Sequence, residues 1–300
     1  MRVVDLFCGM GGSSVGVQMA GHTVVGAADW WEHALTTYRL NHPNHPAQHL
    51  DLSDEERTLE WIRECRPDAI CASPPCQSYS TSGSGARSCD LVVSTVSVAI
   101  KLGVKLLVIE NVIPFISSAA WAEARVALES AGYSVAICKL TASNLGVPQK
   151  RRRAFAVCVR GGSDEAARDL ERRALQLSKK PHTSIDSVFP ELKDKTCYLV
   201  GCFKNAQVLH TDRPLPTIRT NCAHWPKRAS YKPRAKDVDG IEDTHFFTID
   251  QLKIIQGLGG YRFPHGMSKS MRGKQLGNSV VPVCMKWIFD QVSAEYGFEI

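Results

Sequence analysis

No two cysteines of this chain stand in a CxxC spacing, although it carries eleven of them. An odd number scattered through apolar segments argues against a disulfide framework or a zinc knuckle, and for a reducing cytoplasm. No metal site is expected. Long hydrophobic runs are missing too: none approaches the roughly 20 residues of a membrane span. There is no internal repeat, no low-complexity tract, and no cationic leader followed by an apolar stretch. Aromatic residues make up only 8%, but 44% hydrophobic against 22% charged residues excludes a disordered chain. Three hundred residues suit one large α/β domain or two small ones.

Acidic residues are concentrated at one end. Residues 1–76 carry 5 Lys/Arg against 10 Asp/Glu, a balance of −5 within a total of +6, so the remainder carries +11. Between Lys204 and Lys236 stand 8 basic residues and one acid, Asp212. A basic part beside an acidic part suggests a polyanion bound on one side; solvated surface lysines are the plainer alternative.

What is present is a β-α alternation. Val3–Phe7 is an apolar run ended by glycines, as a buried parallel strand should be. Ser13–Gly21 reads as a helix, Val24–Ala28 as a strand ending at Asp29, and Trp31–Asn41 as a helix stopped by His42-Pro43. A brief strand Gln48–Leu50 follows, then a helix from Asp54 to Arg66 with Ser53 as its cap. Strands over Asp68–Ala72 and Leu106–Ile109 flank a helix over Leu91–Gly103. The alternation predicts a mainly parallel sheet with helices on both faces. Residues 163–180 read as a charged helix. Residues 181–247 are rich in Pro, Lys, Thr and Asn with short strand-like pieces such as Tyr198–Phe203. Helices are expected again near Thr248–Gln256 and Val283–Tyr296. The expected division is a first domain over 1–160, completed by 275–300, and a smaller irregular one over 161–274.

Four clusters carry chemistry. The turn Phe7-Cys8-Gly9-Met10-Gly11-Gly12 lies between strand and helix, where glycines let a ligand approach the backbone. Asp29, 20 residues after Gly9, can accept ribose hydroxyls. Alone these features fit NAD, FAD and S-adenosylmethionine proteins, or a tight turn with no ligand. Ala72-Ser73-Pro74-Pro75-Cys76-Gln77 holds a cysteine at a defined place past the fourth strand. A free thiol ionises near pH ~8.5 and needs help to act as a thiolate. Glu110-Asn111-Val112, directly after the fifth strand, puts a candidate proton donor on the same rim. Gln149-Lys150-Arg151-Arg152-Arg153 precedes the strand Ala154–Val159; Arg151 and Arg153 would share a face and Arg152 would point to solvent.

At these residues the chain closely resembles the DNA cytosine-5 methyltransferase family. The ordered set is DLFCGMGG, Asp29-Trp30, Asp51, SPPCQ, ENV, QKRRR, RPLPTIRT (213–220) and GNSVVPV (277–283), spread nearly end to end. The resemblance implies a Rossmann-like class I methyltransferase sheet plus a small target-recognition domain. It implies a DNA (cytosine-5-)-methyltransferase that uses S-adenosylmethionine and yields S-adenosylhomocysteine. Phe7, Gly9, Gly11, Asp29, Trp30, Asp51, Pro75, Asn278, Ser279 and Val280 would hold that cofactor, with Trp30 stacked on adenine. Cys76, Glu110, Arg151 and Arg153 would carry catalysis on a cytosine flipped out of duplex DNA, with Pro75 beside it. Gln77, Ser80, Arg87, Arg219, Lys227 and Arg228 would contact DNA. A monomer, and a cognate restriction endonuclease as partner, complete the expectation. The chain departs from the family in a short loop after Gln77 and in Gly257-Leu258-Gly259, where Phe-Pro usually follows the glycine. An RNA methyltransferase of the same fold shares the PPCQ chemistry, but the Cys-Phe-Thr motif typical of that group is absent. A dinucleotide oxidoreductase leaves PPCQ, ENV and QxRxR unexplained. A non-catalytic homologue would often have lost Cys76 or Glu110.

The recognition segment between QKRRR and RPLPTIRT spans roughly 50 residues, so few side chains can reach base edges. Each good bidentate base contact discriminates by only about 1–3 kcal/mol, while phosphate contacts add affinity without sequence information. The expected target is about two to four base pairs, with binding that weakens steeply as salt rises. Bisulfite sequencing of a fully methylated plasmid checks this; a strictly required site of six or more base pairs would refute it.

Overall fold

A computed structural model describes residues 1–75, 87–199, 207–220, 245 and 247–297. Strands β1 (Arg2–Leu6), β2 (Thr23–Asp29), β3 (Ala47–His49), β4 (Ala69–Ala72) and β5 (Leu106–Asn111) alternate with helices α1 (Gly12–Met19), α2 (Glu32–Asn41), α3 (Glu55–Cys65) and α4 (Arg87–Leu102). Then come α5 (Ala119–Ser130), β6 (Tyr133–Thr141), the short β7 (Gln149–Lys150) and β8 (Arg152–Arg160). The main sheet has seven strands in the order β3-β2-β1-β4-β5-β8-β6. The β1, β2, β3, β4 and β5 pairings are parallel, and β8 runs antiparallel to both β5 and β6. The fold is α/β and Rossmann-like, as the alternation predicts. Strand β6 and helix α5 are the additions that the sequence did not single out, while β8 contains the strand expected over Ala154–Val159.

Strand alternation divides the core in two. Val3, Cys71, Leu106, Val108, Phe155 and Val157 face α1 and two later helices, α6 (Asp164–Leu177) and α10 (Pro282–Tyr296). Val4, Leu6, Ile70, Leu107, Ile109 and Ala156 face α3, α4 and α5. Helix α6 thus belongs to the sheet's core through Ala167, Leu170, Ala174 and Leu177, although it lies in the 161–274 segment. The rest of that segment holds α7 (Ile185–Val188), the antiparallel pair β9 (Thr196–Leu199) and β10 (Gln207–His210), and β11 (Leu215–Pro216). After these come α8 (Ile249–Ile255) and α9 (Lys269–Asn278). Ile185, Phe189, Leu215, Ile218, Leu252, Ile255, Tyr261 and Leu276 form a separate apolar cluster that also takes in Met10. β11 pairs in parallel with β7, which lays RPLPTIRT along QKRRR.

Two local expectations are corrected. Asp54, not Ser53, caps α3: its side chain accepts from Arg57 N–H at 3.1 Å. Ser53 is otherwise engaged, donating its hydroxyl and N–H to Asp51 Oδ1. Glu110 and Asn111 do not follow the fifth strand but end it, paired with Phe155 and Ala154. Antiparallel β8 extends the ladder there past the apolar run. The strand expected over Tyr198–Phe203 is seen as β9, and residues 200–203 lie outside the described residues.

Asp5 is fully buried within β1. Burial pushes its carboxyl up to about 7, against the opposing effect of hydrogen bonds from Ser14 and Cys71, while the charge of Asp29 adds to the rise. The folded chain therefore keeps a proton that the unfolded chain, with a value of about 4, releases. Stability should fall by up to about 1.4 kcal/mol per pH unit as pH rises from about 4 to about 7. Asp5→Asn should flatten that slope in urea unfolding measured across this range; an unchanged slope would show that Asp5 is not its source.

Candidate functional site

The carboxyl ends of the strands build the site. β1 leaves the sheet through Phe7, whose φ of +55° is a left-handed conformation that is strained for an aromatic residue. Gly9 follows with φ +54°, and a Cβ placed on it would meet nothing within 4 Å. The turn is held by Asp29 at the end of β2. Its Oδ2 accepts from Gly9 N–H at 2.7 Å and its Oδ1 from Trp31 N–H at 2.8 Å. Burial raises this carboxyl above the ordinary carboxylate range, and the two N–H donors oppose the rise. Trp30 is 66% exposed beside the turn, an unusual state for the largest apolar side chain. His49 Nε2–H donates to the Trp30 carbonyl at 2.7 Å, and Lys274 Nζ sits 4.9 Å from the centre of the Trp31 ring. Asp51 is exposed on the same rim, bonded to Ser53.

From the other side the GNSVV segment closes on this turn. A Cβ on Gly12 would lie 2.2 Å from the Val280 carbonyl oxygen and 2.4 Å from Ser279 Oγ, so only glycine permits the approach. Ser279 and Val280 are buried; Asn278 is exposed. Open space at Gly9, an exposed aromatic face at Trp30 and polar groups at Asp29, Asp51 and Asn278 make a cradle that fits an adenosyl ligand.

The second half of the site lies at the end of β5. In the β5/β8 register Glu110 stands opposite Phe155, so Arg153, two residues earlier on β8, is its diagonal neighbour on the same face. Arg153 Nε lies 3.3 Å from Glu110 Oε1, an ion pair whose side chains are 18% and 9% exposed. The alignment is too poor for a hydrogen bond, and Oε1 has none. Asn111 Nδ2 donates to the Pro74 carbonyl at 3.2 Å, while its Oδ1 accepts from Val112 N–H. This ties the SPP loop to the Glu110 strand two residues before Cys76. Pro75 is half-buried. Arg151 does not join Glu110; its Nη1 donates to the carbonyls of Ile218 (3.3 Å) and Gly277 (3.1 Å). Arg152 is exposed, as expected from alternation.

Cys76, Gln77, Ser80, Lys227 and Arg228 lie outside the described residues, as does the side chain of Arg87 at the start of α4. Arg219 is exposed at the end of RPLPTIRT. Burial pushes the thiols of Cys8, Cys71, Cys138 and Cys158 well up, and that of Cys284, near Glu110, up to about 12. None of them is poised as a nucleophile. Sequence reasoning missed Tyr261, whose hydroxyl lies 2.5 Å from His42 Nε2 and 3.2 Å from the Gly11 carbonyl. Burial, and secondarily His45, hold His42 down to about 4, so it is neutral. No spacing signal links positions 42 and 261.

A family model described as C-5 cytosine-specific DNA methylase matches residues 1–294. The chain belongs to that family. It is 30% identical over 285 residues to the Type II methyltransferase M.HgiDI of Herpetosiphon aurantiacus, covering 93% of this chain and 90% of that protein. It is 32% identical over 246 residues to the Type II methyltransferase M.HindV of Haemophilus influenzae, covering 81% and 79%. Among solved structures, a DNMT2 variant of Spodoptera frugiperda superposes with a TM-score of 0.70 at 18% identity, over 97% of this chain and 99% of that one. That likeness concerns the fold. The methylase family implies S-adenosylmethionine as methyl donor and DNA as substrate. No helix among the described residues is long and apolar enough to cross a membrane.

In this methylase the Glu110–Arg153 pair is nearly buried, and removing one partner leaves the other uncompensated. Arg153→Met should cost about 1–3 kcal/mol in urea unfolding, less than a fully buried pair because both groups retain some solvent. Combining it with Glu110→Gln should recover part of that loss; additive costs in the four-member cycle would show that the two groups are not coupled.

Proposed function

We propose that this chain transfers a methyl group from S-adenosylmethionine to C5 of a flipped-out cytosine in duplex DNA, with Cys76 as nucleophile. The observation that carries the reading is the Glu110–Arg153 pair, tied through Asn111 to the loop that ends in Pro75-Cys76. C5 of cytosine is a poor nucleophile. Addition of the Cys76 thiolate to C6 forms an S–C6 bond and shifts the double-bond electrons towards C5 and the ring. Glu110 meets the charge developing at N3 by protonating or hydrogen-bonding it, and Arg153 keeps Glu110 in place and can donate to O2. Bound S-adenosylmethionine supplies an electrophilic methyl group to C5. Loss of the C5 proton to water then restores the double bond as the Cys76 sulfur leaves. Phe7, Gly9, Trp30, Asp29, Asp51, Pro75 and Asn278–Val280 are the residues we assign to the cofactor. Arg151 is a positioning residue that fixes the QKRRR segment against residues 218 and 277.

The Type II designation of the relatives supports a cognate restriction endonuclease as partner and a cytoplasmic location. A monomer acting on one strand at a time is the simplest assembly. We assign the target-recognition part to residues 178–274, since α6 is built into the sheet's core.

Incubating the protein and labelled cofactor with duplex DNA, single-stranded DNA and tRNA side by side tests the substrate. Duplex DNA containing 5-fluorocytosine tests the chemistry, because its C5 substituent cannot leave and the adduct is trapped. The wild type should form a denaturation-resistant complex and Cys76→Ser should not. Glu110→Gln should form it about 10²–10⁴-fold more slowly, as expected for loss of a general acid. A trapped complex with Cys76→Ser, or methylation confined to tRNA, would overturn the proposal.

A further inference from the structure

Two fully buried amides, Gln149 and Gln256, connect the DNA side of the molecule to the cofactor side. Gln149 Oε1 accepts from Ile218 N–H at 3.0 Å. Gln149 Nε2 donates to Gln256 Oε1 at 2.7 Å, and Gln256 Nε2 donates to the Ser279 carbonyl at 2.7 Å. The orientation of both amides follows from the two ends. Ile218 offers an N–H, so Gln149 must present its oxygen there and its NH₂ towards Gln256. Gln256 must then present oxygen to Gln149, which leaves its NH₂ for the Ser279 carbonyl. Neither amide can flip without setting two like groups against each other in a dry interior, where an unmet polar group is costly. The ends matter functionally: Ile218 belongs to RPLPTIRT, and Ser279 belongs to the turn that closes on Gly12. Arg151 completes the hub through the carbonyls of Ile218 and Gly277.

We propose that Gln149 and Gln256 are positioning residues, forming a one-way hydrogen-bond relay that seats the 277–280 turn over the cofactor cradle when the 215–218 segment is docked along β7. This rests on the assignment of Asn278–Val280 to the cofactor. The relay gives RPLPTIRT, which pairs with β7, a direct mechanical line to the cofactor cradle. Neither glutamine needs to touch cofactor or base.

Two variants separate a relay from mere filling of space. Gln256→Glu keeps the acceptor for Gln149 and, studied at a pH high enough to ionise this buried carboxyl, has no proton for the Ser279 carbonyl. Gln256→Met removes both links at similar volume. Calorimetric titration with S-adenosylhomocysteine should show affinity about tenfold weaker in each, which corresponds to about 1.4 kcal/mol. Hydrogen exchange without ligand should show a directional pattern. Amides 279–281 should exchange faster in both variants, and the Ile218 amide faster in Gln256→Met alone. If Gln256→Met does not fold, Gln149→Met, which removes the links to Ile218 and to Gln256, should speed exchange at both ends. Affinity within twofold of wild type in both Gln256 variants, or unchanged exchange at both ends, would overturn the relay. Failure of the wild type to bind S-adenosylhomocysteine would instead overturn the cofactor assignment, and the exchange pattern would still decide the relay.

Discussion

The site depends on one reversal in the sheet: β8 enters between β5 and β6 against the direction of its neighbours. A parallel strand in that place would send its amino end, with the arginines, to the far edge of the sheet. Running antiparallel, β8 begins where β5 ends. Its first side chains therefore meet the last ones of β5, and a cation is placed against the Glu110 carboxylate. The apolar stretches 106–109 and 154–159 lock this register in the core, so the polar pair at the rim is positioned by packing it does not share.

Around that pair the structure is assembled by short polar ties between distant segments. Asp29 gathers Gly9 and Trp31, Asn111 gathers Pro74, and Arg151 and Gln149 gather the RPLPTIRT return. Each tie meets backbone groups that loops would otherwise leave unsatisfied when buried. The strained Phe7 conformation is held in the same way, by a turn whose donors are already committed.

Much of this was legible in the sequence, because the strands are short apolar runs that end in glycine, proline or acid. The motifs at the strand ends carry the family resemblance, and with it the expected chemistry. What periodicity could not reveal was pairing. Nothing in AFAVCV says that it runs backwards beside LLVIEN, and so the contact between Arg153 and Glu110 emerges only from the structure. Arg151 likewise donates to carbonyls at 218 and 277, and backbone partners leave no mark on composition. Helix α6 is legible as a charged helix, whereas its docking on the sheet through four buried apolar residues is not.

Helix α10 packs on α1, with His22 bonded to Ser293, so the face of the sheet beneath the glycine turn is finished by residues near position 290. During vectorial synthesis these residues emerge only after every strand of the sheet. The nascent chain therefore carries Glu110, Arg153 and the glycine turn before it has the helix that packs on α1. A chain stopped before that helix keeps the whole sheet but leaves Val17 and Ala20 of the α1 segment without their apolar cover.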